Sequence, residues 1–371
     1  MRKTAQRIAA ITRKETWHVL RDPQALTIVL LLPAVMMFLY GYALNTEISD
    51  IAVGVSYELD DPALQHIISS LNASDLFEVT TVVGAVDDPV KLFQTKRIRA
   101  LFRFSPTFSA DMQTPAKQGE VQVLIDGSDP NLGTIVRNAA RQALSQPTLK
   151  YLNIDLAEPV KVKQSILYNP HQKSAVYFVP GLMVIILTMI SALLTSVALT
   201  KEKENGTLDQ LAISPLKPHE IVIGKLIPYL GLAAIDGFLV LVIGRFAFGV
   251  SIKGNALLLG LVSVFYIIIC LLLGLLISTI TRKQLHAMFL TILATMMPSV
   301  ILTGFIFPVR SMPAFLQGIS AVLPATHYLT IIRAIMLKAV GVSAFRHQLA
   351  VLGVMFLVVF TLSIIRVRKT L

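Results

Sequence analysis

The apolar residues of this chain gather into six long runs that are separated by polar segments. Five of the runs contain no Asp, Glu, Lys or Arg, and the third contains only Asp236. A run of about 20 apolar residues can cross the ~30 Å hydrocarbon core of a membrane as a helix, because a helix satisfies its own backbone hydrogen bonds. We therefore predict an α-helical integral membrane protein with six transmembrane helices, at residues 25–44, 175–200, 226–244, 256–281, 287–309 and 349–365.

A segment of mixed character, residues 45–174, separates the first two runs. Strand-like and helical patterns alternate within it, at residues 51–58, 62–72, 100–104, 121–126 and 131–145. Turn signals such as Asp60-Asp61-Pro62 lie between these patterns. About 130 residues suffice for a hydrophobic core, so we predict a mixed α/β domain inserted between the first and second transmembrane helices.

The charged residues are few and unevenly placed. They make up 15% of the chain, too few to coat a soluble protein. The inserted segment holds 12 basic and 15 acidic residues, so the net charge of +11 comes from the short segments beside the apolar runs. Basic residues in this position are typical of the loops between the transmembrane helices of a membrane protein, and they argue against nucleic-acid binding. Fifteen basic residues fall on the side of both termini and five on the other, so we expect cytoplasmic termini and residues 45–174 outside the cytoplasm.

Residues 308–347 are too apolar for an ordinary loop, yet Pro313, Pro324 and several basic residues prevent a clean crossing. Two stretches with helical spacing lie within this segment, around 315–323 and 329–336. We expect two short amphipathic helices that enter the outer leaflet without crossing it.

No catalytic or metal-binding pattern is present in the sequence. Gly224-Lys225 is followed by Leu226, and the residue five before Gly224 is His219, so the phosphate-binding loop of an ATPase is missing. Cys270 is the single cysteine, which excludes an intrachain disulfide and a cysteine metal cluster.

The loop after the second apolar run contains a short helical pattern. Thr207 and Gln210 have the spacing of a capping box, and Leu208 and Leu211 share one face of a helix that would end near Pro215. On the residues alone, this segment is either a docking helix or an ordinary solvated loop.

Three motifs in this order resemble the permease subunits of type-2 ATP-binding cassette exporters. The first is Glu202-x-Glu-x-Gly-Thr-Leu-x-x-Leu, followed by Ser214-Pro-Leu-x-Pro and Gly224-Lys-Leu-Ile-Pro-Tyr. The second is Ile277-Ser-Thr-Ile-Thr-Arg, and the third is Leu302-Thr-Gly-Phe-Ile-Phe-Pro with Ser311-Met-Pro and Leu323-Pro-Ala. Together with the basic N-terminal segment and the large insertion, the resemblance covers essentially the whole chain.

The resemblance implies a role for each segment. Residues 1–24 would form an amphipathic elbow on the membrane surface, and residues 201–219 would contain a coupling helix seated on an ATPase subunit. Residues 308–347 would form re-entrant helices at the outer mouth. The implied coupling residues are Glu202, Glu204, Gly206, Thr207, Leu208, Leu211 and Pro215. The implied outer-gate residues are Gly304, Phe305, Pro308, Met312, Pro313 and Pro324.

The resemblance also implies the partners. ATP and Mg would bind to the separate ATPase subunit, with no cofactor in this chain. A second permease copy, identical or paralogous, would complete the pair in a bacterial inner membrane. The subfamily with a large periplasmic insertion is often paired with a periplasmic adaptor protein and an outer-membrane channel.

Two charged residues lie in or directly after the third run. Asp236 lies in the middle of this run, and Arg245, nine residues later, points to the opposite face of a helix, so the two cannot pair. An ionised carboxylate costs at least ~2.5 kcal/mol at that depth. Asp236 therefore has either a structural hydrogen bond between helices or a role in substrate handling or gating.

The sequence favours a transport subunit without catalysis of its own, which exports lipophilic or amphipathic compounds. One alternative is a secondary transporter driven by an ion gradient, which would need more ionisable residues in its spans. A second is a membrane-anchored sensor that binds its ligand through the inserted domain.

Overall fold

The computed structural model describes residues 2–43, 51–57, 62–72, 76–84, 92–93, 98–108, 111, 120–126, 135–141, 144, 173–207 and 216–370. In chain order the elements are α1 (Arg2–Leu20), α2 (Pro23–Ala43), β1 (Ile51–Ser56), α3 (Pro62–Asn72), β2 (Phe77–Val83), β3 (Ala100–Phe104), β4 (Val121–Ile125), α4 (Ser174–Glu204), α5 (Pro218–Phe246), α6 (Ala256–Ile280), α7 (Gln284–Leu302), α8 (Ala314–Val322), α9 (Pro324–Lys338) and α10 (Arg346–Thr370). Short 3₁₀ turns at Val309–Ser311 and Val342–Phe345 precede α8 and α10. The chain divides into two compact units, one of Met1–Asn45 with Ser165–Leu371 and one of Thr46–Gln164.

The smaller unit contains a four-stranded mixed sheet in the order β2-β1-β3-β4. β1 is parallel to both of its neighbours, and β4 is antiparallel to β3. Leu71 of α3 is buried against the sheet core, which includes Val53 and Phe102. The strands expected at residues 51–58, 100–104 and 121–126 are present, whereas β2 was not predicted. Of the helix expected at 131–145, the structure describes residues 135–141 and 144, and all of these residues are helical.

Among the described residues of the larger unit, five helical segments are long and apolar enough to cross a membrane. They are α4, α5, α6, α7 and Val342–Lys369, which contains α10. A sixth span results if α8 and α9, bent by 81° at their junction, are taken together. α2, which covers most of the first predicted span at 25–44, contains a shorter apolar helical segment, Leu31–Gly41.

The predicted spans and the helices differ in their bounds, and two of these differences bear on the functional site. The fifth run was predicted to continue to residue 309, but α7 ends at Leu302. The chain turns there because Gly304 has a φ of +85°, a conformation that favours glycine. The second run was predicted to end at residue 200, but α4 continues through four charged residues to Glu204.

α4 is the central helix of the larger unit. Its 31 residues span about 46 Å at 1.5 Å per residue, and it packs against α2, α5, α6, α7 and α9. α4 and α6 approach each other closely, since a Cβ added at Gly274 would lie 2.1 Å from the Ala192 carbonyl oxygen. The Thr195 hydroxyl also donates to the Leu271 carbonyl across this contact, at 2.7 Å.

The larger unit has two ends, which we name by their helices. The α1 end comprises α1, the C-terminal turn of α4, the starts of α5 and α7 and the end of α6. The α9 end comprises α8, α9, the start of α4 and the Thr303–Pro308 loop after α7. α1 packs on α5, where a Cβ at Gly224 would lie 2.8 Å from the Ile11 side chain.

Candidate functional site

The last turn of α4, Lys201–Glu204, is a charged turn whose side chains contact different elements. Lys201 Nζ lies 2.7 Å from Asp22 Oδ2, between α1 and α2. Lys203 Nζ donates to the Ser278 carbonyl of α6 at 2.5 Å. Glu204 Oε2 accepts from the backbone N–H and the side-chain amide of Gln284, at 3.0 and 3.1 Å. Glu202, the remaining residue of this turn, contacts Lys14 of α1 and Lys225 of α5. The charged turn therefore makes contacts with α1, α5, α6 and α7 and with the turn between α1 and α2.

Glu202 belongs to a buried cluster with Glu15 of α1 and Lys225 of α5. Lys225 Nζ lies 2.9 Å from Glu15 Oε1 and 2.6 Å from Glu202 Oε2. The three residues are only 2%, 3% and 3% exposed, for Glu15, Glu202 and Lys225 respectively. The Tyr229 hydroxyl also donates to Glu15 Oε2, at 3.4 Å. Because each buried charge has its partner here, the cluster ties α1, α4 and α5 to one another.

Lys14 completes the charge balance of the buried cluster from the surface. Its Nζ lies 3.0 Å from Glu202 Oε1, and its side chain is half-exposed. Partial burial lowers the pKa of Lys14, but the negative charges of Glu202 and Glu15 outweigh this and raise its pKa above the ordinary value. Lys14 is therefore charged at neutral pH, and two lysines balance two carboxylates.

A second contact holds α1 to the start of α5. Glu220 is fully buried, and its Oε2 accepts from the Lys217 backbone N–H at 3.0 Å. The same oxygen lies 3.6 Å from Arg7 Nη1 of α1. On the opposite face of α1, Trp17 and Leu20 are exposed, while Ile11, Glu15 and Val19 are buried. α1 is thus an amphipathic helix with its polar anchor turned inward.

The predicted coupling residues fall into three groups. Glu202 is buried in the cluster, and Glu204 is bound to the start of α7. Gly206 has a φ of +70°, and the Thr207 backbone N–H and hydroxyl both donate to the Glu202 carbonyl, at 3.0 and 3.2 Å. The other three, Leu208, Leu211 and Pro215, lie outside the described residues, as does the predicted capping box with Gln210.

The sequence interpretation missed the other members of the buried cluster around Glu202, namely Glu15, Lys225 and Tyr229. A signal was available, because the chain outside residues 45–174 contains only seven acidic residues. The structure describes six of them, and five have polar or ionic partners at the α1 end. An acid so rare in an apolar chain points to a specific partner.

Asp236 is the sixth of these acids. It is fully buried on α5, and neither of its carboxylate oxygens has a hydrogen-bond partner among the described residues. Arg245 is exposed in the last turn of α5. The Ser191 hydroxyl on α4 is a further buried polar group for which the described residues provide no partner. Since Asp236 is already enclosed by its own chain, a second permease copy could not reach it in this conformation.

The predicted outer-gate residues do not form one cluster. Gly304 and Phe305 lie against the start of α4, where the Phe305 ring packs edge-on to Phe178 at 5.7 Å and covers Gly181. The remaining four mark element boundaries: Pro308 and Met312 flank the first 3₁₀ turn, Pro313 precedes α8, and Pro324 begins α9. The expected pair of short helices is therefore present as α8 and α9.

The described residues contain no group of three or more His, Cys, Asp or Glu side chains that could hold a metal ion. What the α1 end provides is a set of charge contacts between helices. Such contacts transmit a displacement of one helix end to its neighbours.

Comparisons with known proteins agree with this architecture. A family profile described as "ABC-2 family transporter protein" matches residues 24–365. The probable multidrug ABC transporter permease YbhS of Escherichia coli (strain K12) is 30% identical over 335 residues, 90% of this chain and 89% of that protein. YbhR of the same organism, which carries the same description, is 28% identical over 336 residues, 90% of each chain.

A longer relative shows the same region within a larger protein. ABC transporter G family member 20 of Dictyostelium discoideum is 27% identical over 365 residues, which are 96% of this chain but 49% of that protein. The two bacterial relatives are both named as permeases of ABC transporters. The chain is a multi-pass membrane protein and belongs to the ABC-2 family of transporter proteins.

Proposed function

We propose that this chain is the membrane-spanning subunit of an ATP-driven exporter in a bacterial inner membrane. A separate ATPase subunit binds ATP and Mg and docks on the segment that follows α4. A second permease copy, identical or paralogous, completes the translocation path. The names of the bacterial relatives, probable multidrug permeases, support lipophilic or amphipathic cargo.

The observation that carries this proposal is the charged turn of α4. Residues 208–215, the proposed docking segment, follow it after only three residues. A displacement of this segment would reach α1 and α5 through Glu202, α6 through Lys203 and α7 through Glu204. One docking event could therefore move several transmembrane helices together.

The proposed topology places the α1 end in the cytoplasm. Basic residues concentrate there, as the positive-inside rule requires. The exposed Trp17 lies next to Arg21, whose guanidinium carbon is 5.5 Å from the indole ring. An aromatic and basic face suits the membrane interface, so α1 would lie along the surface as an elbow. The smaller unit would then be periplasmic, where an adaptor protein and an outer-membrane channel could join.

The proposal is tested by the double variant Glu204→Arg with Gly206→Pro. The first change removes the acceptor of Gln284 and puts a positive charge in its place. The second is incompatible with a φ of +70°, because proline fixes φ near −65°. In a complex reconstituted with the ATPase subunit, we expect ATP hydrolysis to continue while ATP-driven ethidium transport is lost.

Gly249→Pro is the matched control, since Gly249 has a φ of +66° with open space around it and lies between α5 and α6. This variant also places a proline where the backbone has a positive φ, but at a position away from the proposed docking segment. It should keep the wild-type ratio of transport to ATP hydrolysis. Wild-type transport in the double variant would reject the docking role.

One observation favours the alternative of ion-coupled transport, namely the buried Asp236, whose carboxylate has no hydrogen-bond partner among the described residues. Ionisable residues inside a membrane protein commonly mark ion pathways. The two functions differ in their source of energy, so transport by this chain without any ATPase subunit separates them.

A further inference from the structure

The α9 end contains a second set of polar contacts, which joins α9 to α4. Arg333 of α9 donates from Nη1 to the Gly304 carbonyl at 3.0 Å and from Nη2 to the Tyr177 carbonyl at 3.4 Å. Its guanidinium carbon lies 4.0 Å from the centre of the Tyr177 ring. The Tyr177 hydroxyl in turn donates to the Gly304 carbonyl at 3.4 Å. Arg333 thus fastens α9 to the first turn of α4 and to the loop after α7.

A tyrosine pair makes the second connection, deeper in the bundle. Tyr266 of α6 and Tyr328 of α9 are fully buried and stacked, with ring centres 4.0 Å apart and planes 14° from parallel. The Tyr266 hydroxyl shares a hydrogen bond with the Thr188 hydroxyl of α4. The Tyr328 hydroxyl shares one with the Ser263 hydroxyl of α6, at 2.7 Å.

Both connections reach the same face of α4. Tyr177 and Thr188 are eleven residues apart, which is about 20° more than three full turns at 100° per residue. The tyrosine pair requires two aromatic rings stacked in contact. The Arg333 contacts require a planar guanidinium group above the Tyr177 ring. These groups therefore set the position of α9 relative to α4 at two heights.

The chemistry of the Arg333 contacts suits a link that opens and closes. Among the described residues, its hydrogen-bond acceptors are two neutral carbonyl oxygens, and its Nε has no partner. Neutral acceptors hold a guanidinium less tightly than a carboxylate does. The α1 end differs in this respect, since its buried lysine is held by two carboxylates.

We propose that Arg333 and the Tyr266–Tyr328 pair are positioning residues that fasten α9 to α4. Movement of the charged turn at one end of α4 then shifts α8 and α9 at the other. This inference rests on the proposed ATP-driven function, because the movement begins at the docking segment. It adds specific residues through which the proposed outer mouth follows the ATPase.

The test uses a thiol at an exposed position of α8 in the complete complex with the ATPase subunit. Phe315 is 75% exposed, and Cys270, the single native cysteine, is fully buried. Phe315→Cys therefore provides one reactive site for a membrane-impermeant maleimide. We expect trapping with ATP and vanadate to change its labelling rate by about fivefold or more, the lower range of a coupling between sites.

The double variant Arg333→Gln with Tyr266→Phe should remove this nucleotide dependence while ATP hydrolysis continues. Arg333→Lys alone should keep part of it, since the positive charge over the Tyr177 ring remains. Tyr266→Phe alone keeps the ring stack and deletes only the bond to Thr188, so it should reduce the dependence even if the double variant does not fold. Thr330→Ala on α9 is the control, because that exposed hydroxyl bonds only within its own helix.

Three results of the labelling test would overturn the proposed link. A nucleotide-dependent change of wild-type size in the double variant, or in Tyr266→Phe should the double variant not fold, would overturn the link and leave the ATP-driven function intact. A wild-type complex that hydrolyses ATP without any change at position 315 would also overturn the link, whereas the proposed function fails only if the complex shows no ATP-driven ethidium transport. Loss of ATP hydrolysis in a folded double variant would show that these residues serve the ATPase contact and not the α9 end, which also overturns the link.

Discussion

Lys225 lies between two carboxylates with almost no access to solvent. Removing one member of a buried ion pair leaves a charge without compensation, which costs much more than losing an exposed pair. Glu15 would retain only Lys14, 3.6 Å away, and the Tyr229 hydroxyl. A single side chain at the start of an apolar run is thus central to the attachment of α1.

Replacing Lys225 with methionine should destabilise the protein by about 3–5 kcal/mol and loosen α1. Trp17 is the only tryptophan of the chain and lies on α1, so its fluorescence reports on this helix alone. We expect lower Trp17 anisotropy and a lower unfolding temperature in detergent.

Lys14→Met is the control for this change, because the half-exposed Lys14 contacts the same Glu202. Its loss should cost about 0.2–1 kcal/mol. Adding Glu15→Gln and Glu202→Gln to Lys225→Met should restore much of the stability, since no charge then remains in the buried cluster. Identical anisotropy and unfolding temperature in wild type and Lys225→Met would contradict the anchoring role.

At the scale of elements, the lengths of apolar runs predicted which segments are helical but not where each helix ends. α7 stops at Leu302 within an apolar run, because Gly304 turns the chain and Phe305 is buried against Gly181. α4 continues past its apolar run, because Lys201 to Glu204 find partners on other helices. Neither reason is visible in local composition.

The rarity of acids in the sequence indicated that they have partners, but the sequence did not show which residues form the buried cluster, for a related cause. Its members are separated by up to 210 positions in the chain, and burial of charge runs against the usual preference of Glu and Lys for the surface. The pattern of α8 and α9 was predictable because apolar residues at helical spacing flank Pro313 and Pro324. The motif around Gly206 was recognised from the sequence, but Glu202 within it serves an internal contact.

The packing of α4 against α6 depends on one glycine. Gly274→Ala would place a methyl group 2.1 Å from the Ala192 carbonyl oxygen, and two helix backbones would have to separate. Overpacking of this kind costs about 1–3 kcal/mol. We expect a lower unfolding temperature of the purified protein.

Gly260→Ala on the same helix is the matched control, because no other atom lies within 4 Å of the added Cβ. Its unfolding temperature should be unchanged or slightly higher, since alanine favours helix more than glycine does. Equal unfolding temperatures for the two variants would show that α4 and α6 do not depend on this close approach.

At the scale of the whole larger unit, α4 connects two sets of polar contacts with different strengths. Charged groups hold the α1 end, and neutral acceptors with aromatic rings hold the α9 end. Between them, the described residues place hydroxyls inward and large apolar side chains outward on α7, where Thr291 and Thr295 are buried but Phe289 and Leu293 are exposed. This arrangement suits a membrane, since lipid cannot satisfy polar groups.

The central claim is that this chain is moved by a separate ATPase and supplies no energy itself. The most direct measurement is accumulation of ethidium against its gradient in sealed vesicles. Vesicles would contain this chain alone, with an active ATPase subunit, or with a hydrolysis-deficient ATPase subunit. We expect ATP-dependent accumulation only with the active ATPase, whereas equal accumulation by the chain alone, driven by an ion gradient, would contradict the account.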